Sequence, residues 1–233
     1  MNKVFWIPLF LALSYTQSKN DKHVNLDTDK TSPKNTIEDF NYPLLVDGKH
    51  SVKFKDGDIV FIHSGSDLSF PISLATESEY THCAIYWCFK GTGPAFYEAS
   101  AKVEITNFDD FLKDRKGSLL LVMRLKDRDK LLDSLHLSQV INKISSWHNR
   151  PYDGQFLWSD DKLYCSELVY KAYEAANIEL CKVKRLRDFD LTSPMVKSEL
   201  EKRFGDDIPL NESVVAPVDL IYSNLLDTIY YSK

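Results

Sequence analysis

The 233-residue chain has few cysteines, no basic run, no internal repeat and no apolar stretch long enough to cross a bilayer. Each shortage removes a class of protein. Four cysteines are too few for a fold built on disulfides, and Cys83 and Cys88, an odd number apart within one predicted strand, face opposite sides and cannot bridge each other. The run "HCAIYWC" puts its potential ligands on both faces of a strand, so no structural zinc site is expected. A formal charge of -5 without a basic cluster argues against nucleic acid or an anionic membrane surface as the main partner. The apolar stretch from Val4 to Leu13, about ten residues, is too short for a span but suits a secretory signal, with Lys3 before it and the small residues Ala12 and Ser14 at a cleavage spacing. No cysteine follows to carry a lipid anchor.

What remains is the composition of one soluble domain, 43% hydrophobic and 27% charged. Residues 1–18 read as a signal peptide, 19–45 as a flexible polar linker, and 46–233 as the folded domain. "KFKDGDIVFIHS" predicts a turn at Asp56-Gly57 and a strand over Asp58–Ile62, and a helical turn is expected around Ile72–Glu79. Strands are expected over 81–89 and 95–100, joined by the turn "KGTGP", and again over 102–108 and 118–125. Helices follow. Val140, Ile144 and Trp147 recur at helical spacing, which predicts a helix from Asp127 to about Asn149, before Pro151. A second helix begins near Cys165, with Leu168, Ala172 and Ala175 on one face and Asn177 as its C-terminal cap. Segment 182–213 is charged and carries one short helix at most. Strands first and helices later give α+β with an antiparallel sheet packed against helices.

Cys165 is the residue on which function turns. At a helix N-terminus, free backbone N–H groups and the helix dipole favour a thiolate, and the same N–H groups could take up an oxyanion. A small buried side chain is the alternative. A thiol nucleophile needs a base, and His82, at the start of the most apolar strand, is well placed for it, though a structural histidine fits the same position. Glu98 lies in "AFYEAS"; if strands 82–89 and 95–100 form a hairpin, the start of one lies opposite the end of the other, and Glu98 becomes the neighbour of His82. Outside the hairpin it would be a solvated edge residue. Glu104 and Glu167 are weaker candidates for the same role. Cys181 lies some four turns beyond Cys165, about 24 Å at helical rise, so Cys165 is expected as a free thiol.

The segments "DGDIVFI", "SEYTHCAIY", "FYEAS", "RPYDGQF", "LYCSELVYKAY" and "VVAPVDLIYSNLL" come in the order shown by the YiiX/YebB-like branch of the NlpC-type, papain-like cysteine hydrolases. The sequence resembles that branch from about Gly57 to Leu226. The resemblance implies a circularly permuted papain-like fold in which the histidine strand precedes the cysteine helix. It implies Cys165 as nucleophile, His82 as base and Glu98 as the third polar residue. Cys83, beside His82, departs from the small aliphatic residue more usual there, and the charged segment after Cys181 is longer.

The expected protein is thus an exported hydrolase that cleaves an amide or ester through an acyl-thioester at Cys165, with cell-wall peptides a candidate substrate. Tyr164 and the backbone N–H of Cys165 are candidate oxyanion contacts, and no metal or organic cofactor is required. The partner is a small-molecule, peptide or acyl-amide substrate. An acyltransferase or lipid-directed hydrolase, and a binding module that does no chemistry, are the rival readings.

Overall fold

The computed structural model describes residues 43–46, 48–113 and 119–232, so the expected signal peptide and all but the end of the expected linker lie outside the described residues. Strands β1 (Leu44–Leu45) and β2 (Ser51–Val52) make a small hairpin, so pairing starts within the last residues read as linker. There follow β3 (Ile59–Ile62), α1 (Ser69–Thr76), β4 (His82–Phe89), β5 (Gly93–Ala99), β6 (Val103–Asn107), α2 (Phe108–Lys113) and β7 (Leu120–Leu125). The second half runs α3 (Arg128–Leu131), α4 (Ser134–Ser146), α5 (Cys165–Glu174), β8 (Lys184–Arg185), α6 (Pro194–Phe204), β9 (Ser213–Val214), α7 (Pro217–Ile221) and β10 (Leu226–Tyr231). A 3-10 turn at Leu186–Asp188 follows β8.

Six strands form one antiparallel sheet in the order β10-β7-β3-β4-β5-β6. Alternation along each strand sorts side chains to two faces. Ile59, Phe61, Cys83, Ile85, Tyr97 and Met123 face α4 and α5, in a core shared with Leu137, Val140, Ile144 and Leu168. Val60, Ile62, Ala84, Tyr86, Phe96 and Val122 face the other way, under α2 and Phe54. There Phe96 stacks on Phe111 at 4.2 Å and on Phe108 at 5.5 Å. Cys83 and Cys88 thus belong to opposite faces, as their odd separation requires.

Gly57 sits where only glycine serves. Its φ is +89°, and a Cβ there would come within 2.9 Å of Leu132 and 3.2 Å of the Tyr173 hydroxyl, which donates to the Gly57 carbonyl. The next residue, Asp58, is fully buried and takes the Arg124 side chain of β7 through two bonds of 2.7 Å. The "DGDIVF" stretch therefore ties α5 and β7 to the second turn of the fold.

Three expectations change. The single helix over 127–149 is two, because Asp133 starts a new one: its carboxylate accepts from the N–H groups of Leu135 and His136 at 2.9 and 3.0 Å, while Leu132 turns into the core. The helix placed at 72–79 begins earlier, at Ser69. Residue 108, placed in a strand, opens α2, where Asn107 caps the N–H groups of Asp109 and Asp110. Asn177 does adopt the left-handed conformation of a helix-ending residue, with φ 58°.

Candidate active site

The three residues of the expected triad come together at one rim of the sheet. Cys165 is the first residue of α5 and is 3% exposed; His82 opens β4 at 7%, and Glu98 is near the end of β5 at 1%. The hairpin register, with Ile85 opposite Tyr97 and Phe89 opposite Gly93, brings the start of β4 toward the end of β5. His82 Nε2 lies 2.7 Å from Glu98 Oε2. The other carboxylate oxygen, Oε1, accepts from Thr106 Oγ1 of β6 at 2.6 Å. Glu98 is held from both sides, so the imidazole it binds is fixed in orientation, with Nδ1 left for the thiol.

Charge follows geometry. Burial works against a protonated His82, but the Cys165 thiolate and the Glu98 carboxylate outweigh it and bring its pKa up to about 9. The Cys83 thiol, hydrogen-bonded to the Cys165 sulfur, lowers the Cys165 pKa; burial opposes this, and the His82 charge takes the thiol well below its ordinary range. Both shifts favour a thiolate beside an imidazolium. Cys83 thus belongs to the sheet core and also bears on the Cys165 charge. All four cysteines are free.

The alternatives for the third residue do other work. Glu104 accepts from Ser100 Oγ at 2.5 Å. Glu167 is fully buried, pairs with Lys171 at 2.7 Å and accepts the Tyr164 N–H at 3.4 Å. Burial raises its pKa to about 7 against the opposing Lys171 charge. Lys171 in turn reaches Asp160 at 2.9 Å and the Ser159 carbonyl at 3.0 Å, so this network fixes the start of α5 to the loop before it.

Tyr164, expected at the oxyanion, has its phenol oxygen accepting from Val215 N–H at 3.2 Å. Ser166 Oγ donates to the Val215 carbonyl at 2.7 Å. Together they clamp the "VVAP" segment to the helix start and so form the floor of a cleft. Two phenols feel the Cys165 charge: burial raises the Tyr152 pKa first and Cys165 adds to it, while burial and then Glu167 raise that of Tyr164, with Cys165 a smaller cause. Tyr152 and Thr106 were not singled out by sequence reasoning. Tyr152 does stand in the quoted "RPYDGQF", two residues from a turn signal, which is the one sequence cue to it.

Cys165 opens into a solvent-connected cleft. Ile72 and Ala75 of α1, Phe189, and Val196 and Leu200 of α6 form its far wall, and Val214 its floor. The charged segment after Cys181 is the source of much of this apolar lining: most of its charges are exposed, with Glu199 and Arg203 among the exceptions, and its few aliphatic side chains face in.

A cysteine at a helix start, a histidine beside it and a carboxylate behind that define a papain-like cysteine hydrolase, here with the histidine strand ahead of the cysteine helix. The permuted papain-like amidases of the YaeF/YiiX, C92 family match residues 53–230, and the chain belongs to that family. It is 33% identical to Escherichia coli (strain K12) YiiX over 174 residues, covering 74% of this chain and 84% of that protein. The crystal structure of yiiX from Escherichia coli O157:H7, described there as a metalloprotein, superposes with a TM-score of 0.71 at 31% identity, covering 76% of this chain and 97% of that one.

Proposed function

We propose that the protein is an exported cysteine amidase that acts on amides with an apolar acyl side. The observation that carries this reading is Cys165 at the start of α5, beside the Glu98-bound His82, opening onto an apolar cleft. Cys165 Sγ attacks the amide carbonyl carbon. The oxyanion is met by the Cys165 backbone N–H and the Tyr152 phenol. His82 Nδ1–H then protonates the leaving nitrogen as the C–N bond breaks, leaving an acyl-thioester. The neutral imidazole next takes a proton from water, which attacks the thioester and restores the thiolate. Glu98 keeps the ring in one orientation throughout.

The aliphatic lining favours an acyl chain over a polar cell-wall peptide as the occupant of the cleft. Transfer to an acceptor other than water would use the same acyl-enzyme. The yiiX structure is that of a metalloprotein; among the described residues of this chain no group of three His, Cys, Asp or Glu side chains is placed to hold a metal ion. Export rests on Lys3 and the Val4–Leu13 core; among the described residues no helix is long and apolar enough to cross a membrane.

Octanoyl p-nitroanilide tests the chemistry. The expected result is a burst of p-nitroaniline matching the protein concentration, with one octanoyl group on Cys165 by intact mass, both absent from Cys165→Ala. No burst and an unmodified Cys165 would sink the reading, and an octanoyl group passed to an added amine in preference to water would make it a transferase. Export is tested separately: protein from its native host should lack roughly the first 14 to 20 residues.

A further inference from the structure

Within the apolar cleft stands one ion pair, Glu199 and Arg203 of α6. An i,i+4 pair in the last turns of a helix is ordinarily a surface feature, with the cation in water near the helix C-terminus. Neighbouring Lys202 behaves that way, its side chain 76% exposed. Arg203 does not: its side chain is 15% exposed and turned into the cleft that holds Cys165.

The guanidinium is held from one side and unfilled on the other. It lies over the Phe156 ring at 5.2 Å. Phe156 meets the Tyr164 ring at 5.3 Å, edge to face. Its φ of 55° is in the left-handed region that aromatic residues rarely occupy. Asp153 holds that conformation, accepting from the N–H groups of Gln155 at 2.9 Å and Leu157 at 2.6 Å. A strained backbone thus presents the ring on which Arg203 rests. Of five N–H donors, the described residues engage one, by Glu199 Oε2 at a long 3.3 Å. A largely buried guanidinium with donors to spare, in a cleft whose lining is mostly apolar, is matched to an acceptor that arrives with the ligand.

We propose that Arg203 is a specificity-determining residue that receives a carboxylate on the substrate, whose remaining bulk occupies the apolar cleft. The substrate class is then an N-acyl amino acid or a similar amide bearing one carboxylate. A monoanion suits the site better than a phosphate dianion, because Glu199 already contacts the same guanidinium and repels a second negative charge. The proposal rests on the amidase reading for what happens to the ligand, but binding can be measured without turnover.

The test uses the full chain carrying Cys165→Ala and calorimetric titration with N-octanoylglycine, N-methyloctanamide and octyl phosphate. N-octanoylglycine should bind about tenfold or more tighter than the neutral amide, the range of a charge-assisted hydrogen bond. Adding Arg203→Gln should remove that advantage and leave the neutral amide within about twofold, and Arg203→Lys should fall between them. Glu199→Gln should tighten N-octanoylglycine, a gain that damaged folding would not produce. Equal affinity for acid and neutral amide, tighter binding of octyl phosphate, or a loss in Arg203→Gln shared by all ligands would overturn the assignment. Tight carboxylate binding by a protein that never cleaves would leave Arg203 assigned and remove only the amidase reading.

Discussion

On one side of the cleft, β4, β5 and α5 fix Cys165, His82 and Glu98 within the main core, each nearly inaccessible to water. On the other, α6 and the stretch before it contribute a few aliphatic side chains and the Arg203–Glu199 pair from segments that are otherwise charged. The first wall can carry a buried ion pair because Glu98 is bound from both sides, by His82 and by Thr106. The second wall is shallow, and its residues can change without unpacking the sheet. Chemistry and selectivity are thus assigned to different parts of the chain, and substitutions on the two walls should give different kinetic signatures.

The largest effects belong to the first wall. Cys165→Ala should lower kcat by on the order of 10⁴-fold or more while the melting midpoint stays near that of the native protein. Glu98→Gln should cost about 10² to 10⁴-fold, because the amide cannot stabilise the imidazolium and can favour the wrong tautomer. The pH profile reports the same pair. His82 must be protonated to release the amine, and its pKa is about 9, so activity should fall as pH rises through about 9. Cys165 must be a thiolate, so the acid limb should lie well below the ordinary thiol range. Glu98→Gln should move the alkaline limb down; an unmoved limb would remove Glu98 from the pair.

Cys83 comes next. Replacing it with alanine removes the S–H that stabilises the thiolate, so the pH midpoint for alkylation of Cys165 by iodoacetamide should rise, and turnover near neutrality should fall by about tenfold or less. An unchanged midpoint would leave Cys83 a core residue only. On the second wall, Leu200→Ala should raise KM by about tenfold for an octanoyl substrate through lost apolar contact, with the alkylation midpoint unmoved. A shifted midpoint would show that the walls are coupled and break the comparison.

The difference between the walls also decided what the sequence could reveal. The β4–β5 hairpin was legible because an apolar run, a glycine-rich turn and a second apolar run leave few other arrangements, and Gly91 and Gly93 do take positive φ. Once the hairpin is assumed, His82 and Glu98 must approach each other. The far wall was not legible: in "PMVKSELEKRF" only Val196 and Leu200 are buried, one i,i+4 pair among charges, and periodicity cannot separate that from a solvated helix. The break at Asp133 and the cap at Asn107 had local signals that the apolar pattern overrode. Thr106 and Tyr152 had little signal, because each gains its role from a segment far away in sequence.

The smallest effect sets the outer limit of the catalytic wall. Thr106 is on β6, the edge strand, and touches neither thiol nor imidazole; it donates to the Glu98 oxygen that His82 leaves free. Thr106→Val keeps the shape and removes the donor, so a buried carboxylate oxygen loses a partner. Glu98 then loses one of the bonds that fix its carboxylate. kcat should fall by about twofold to tenfold, the worth of one hydrogen bond, with KM unchanged because no ligand contact is altered. Thr106→Ser restores the donor and should restore most of the rate, which a packing defect at the sheet edge would not allow. If Thr106→Val instead changes KM, or if serine fails to rescue kcat, Glu98 is positioned by its strand alone and the catalytic wall ends at β5.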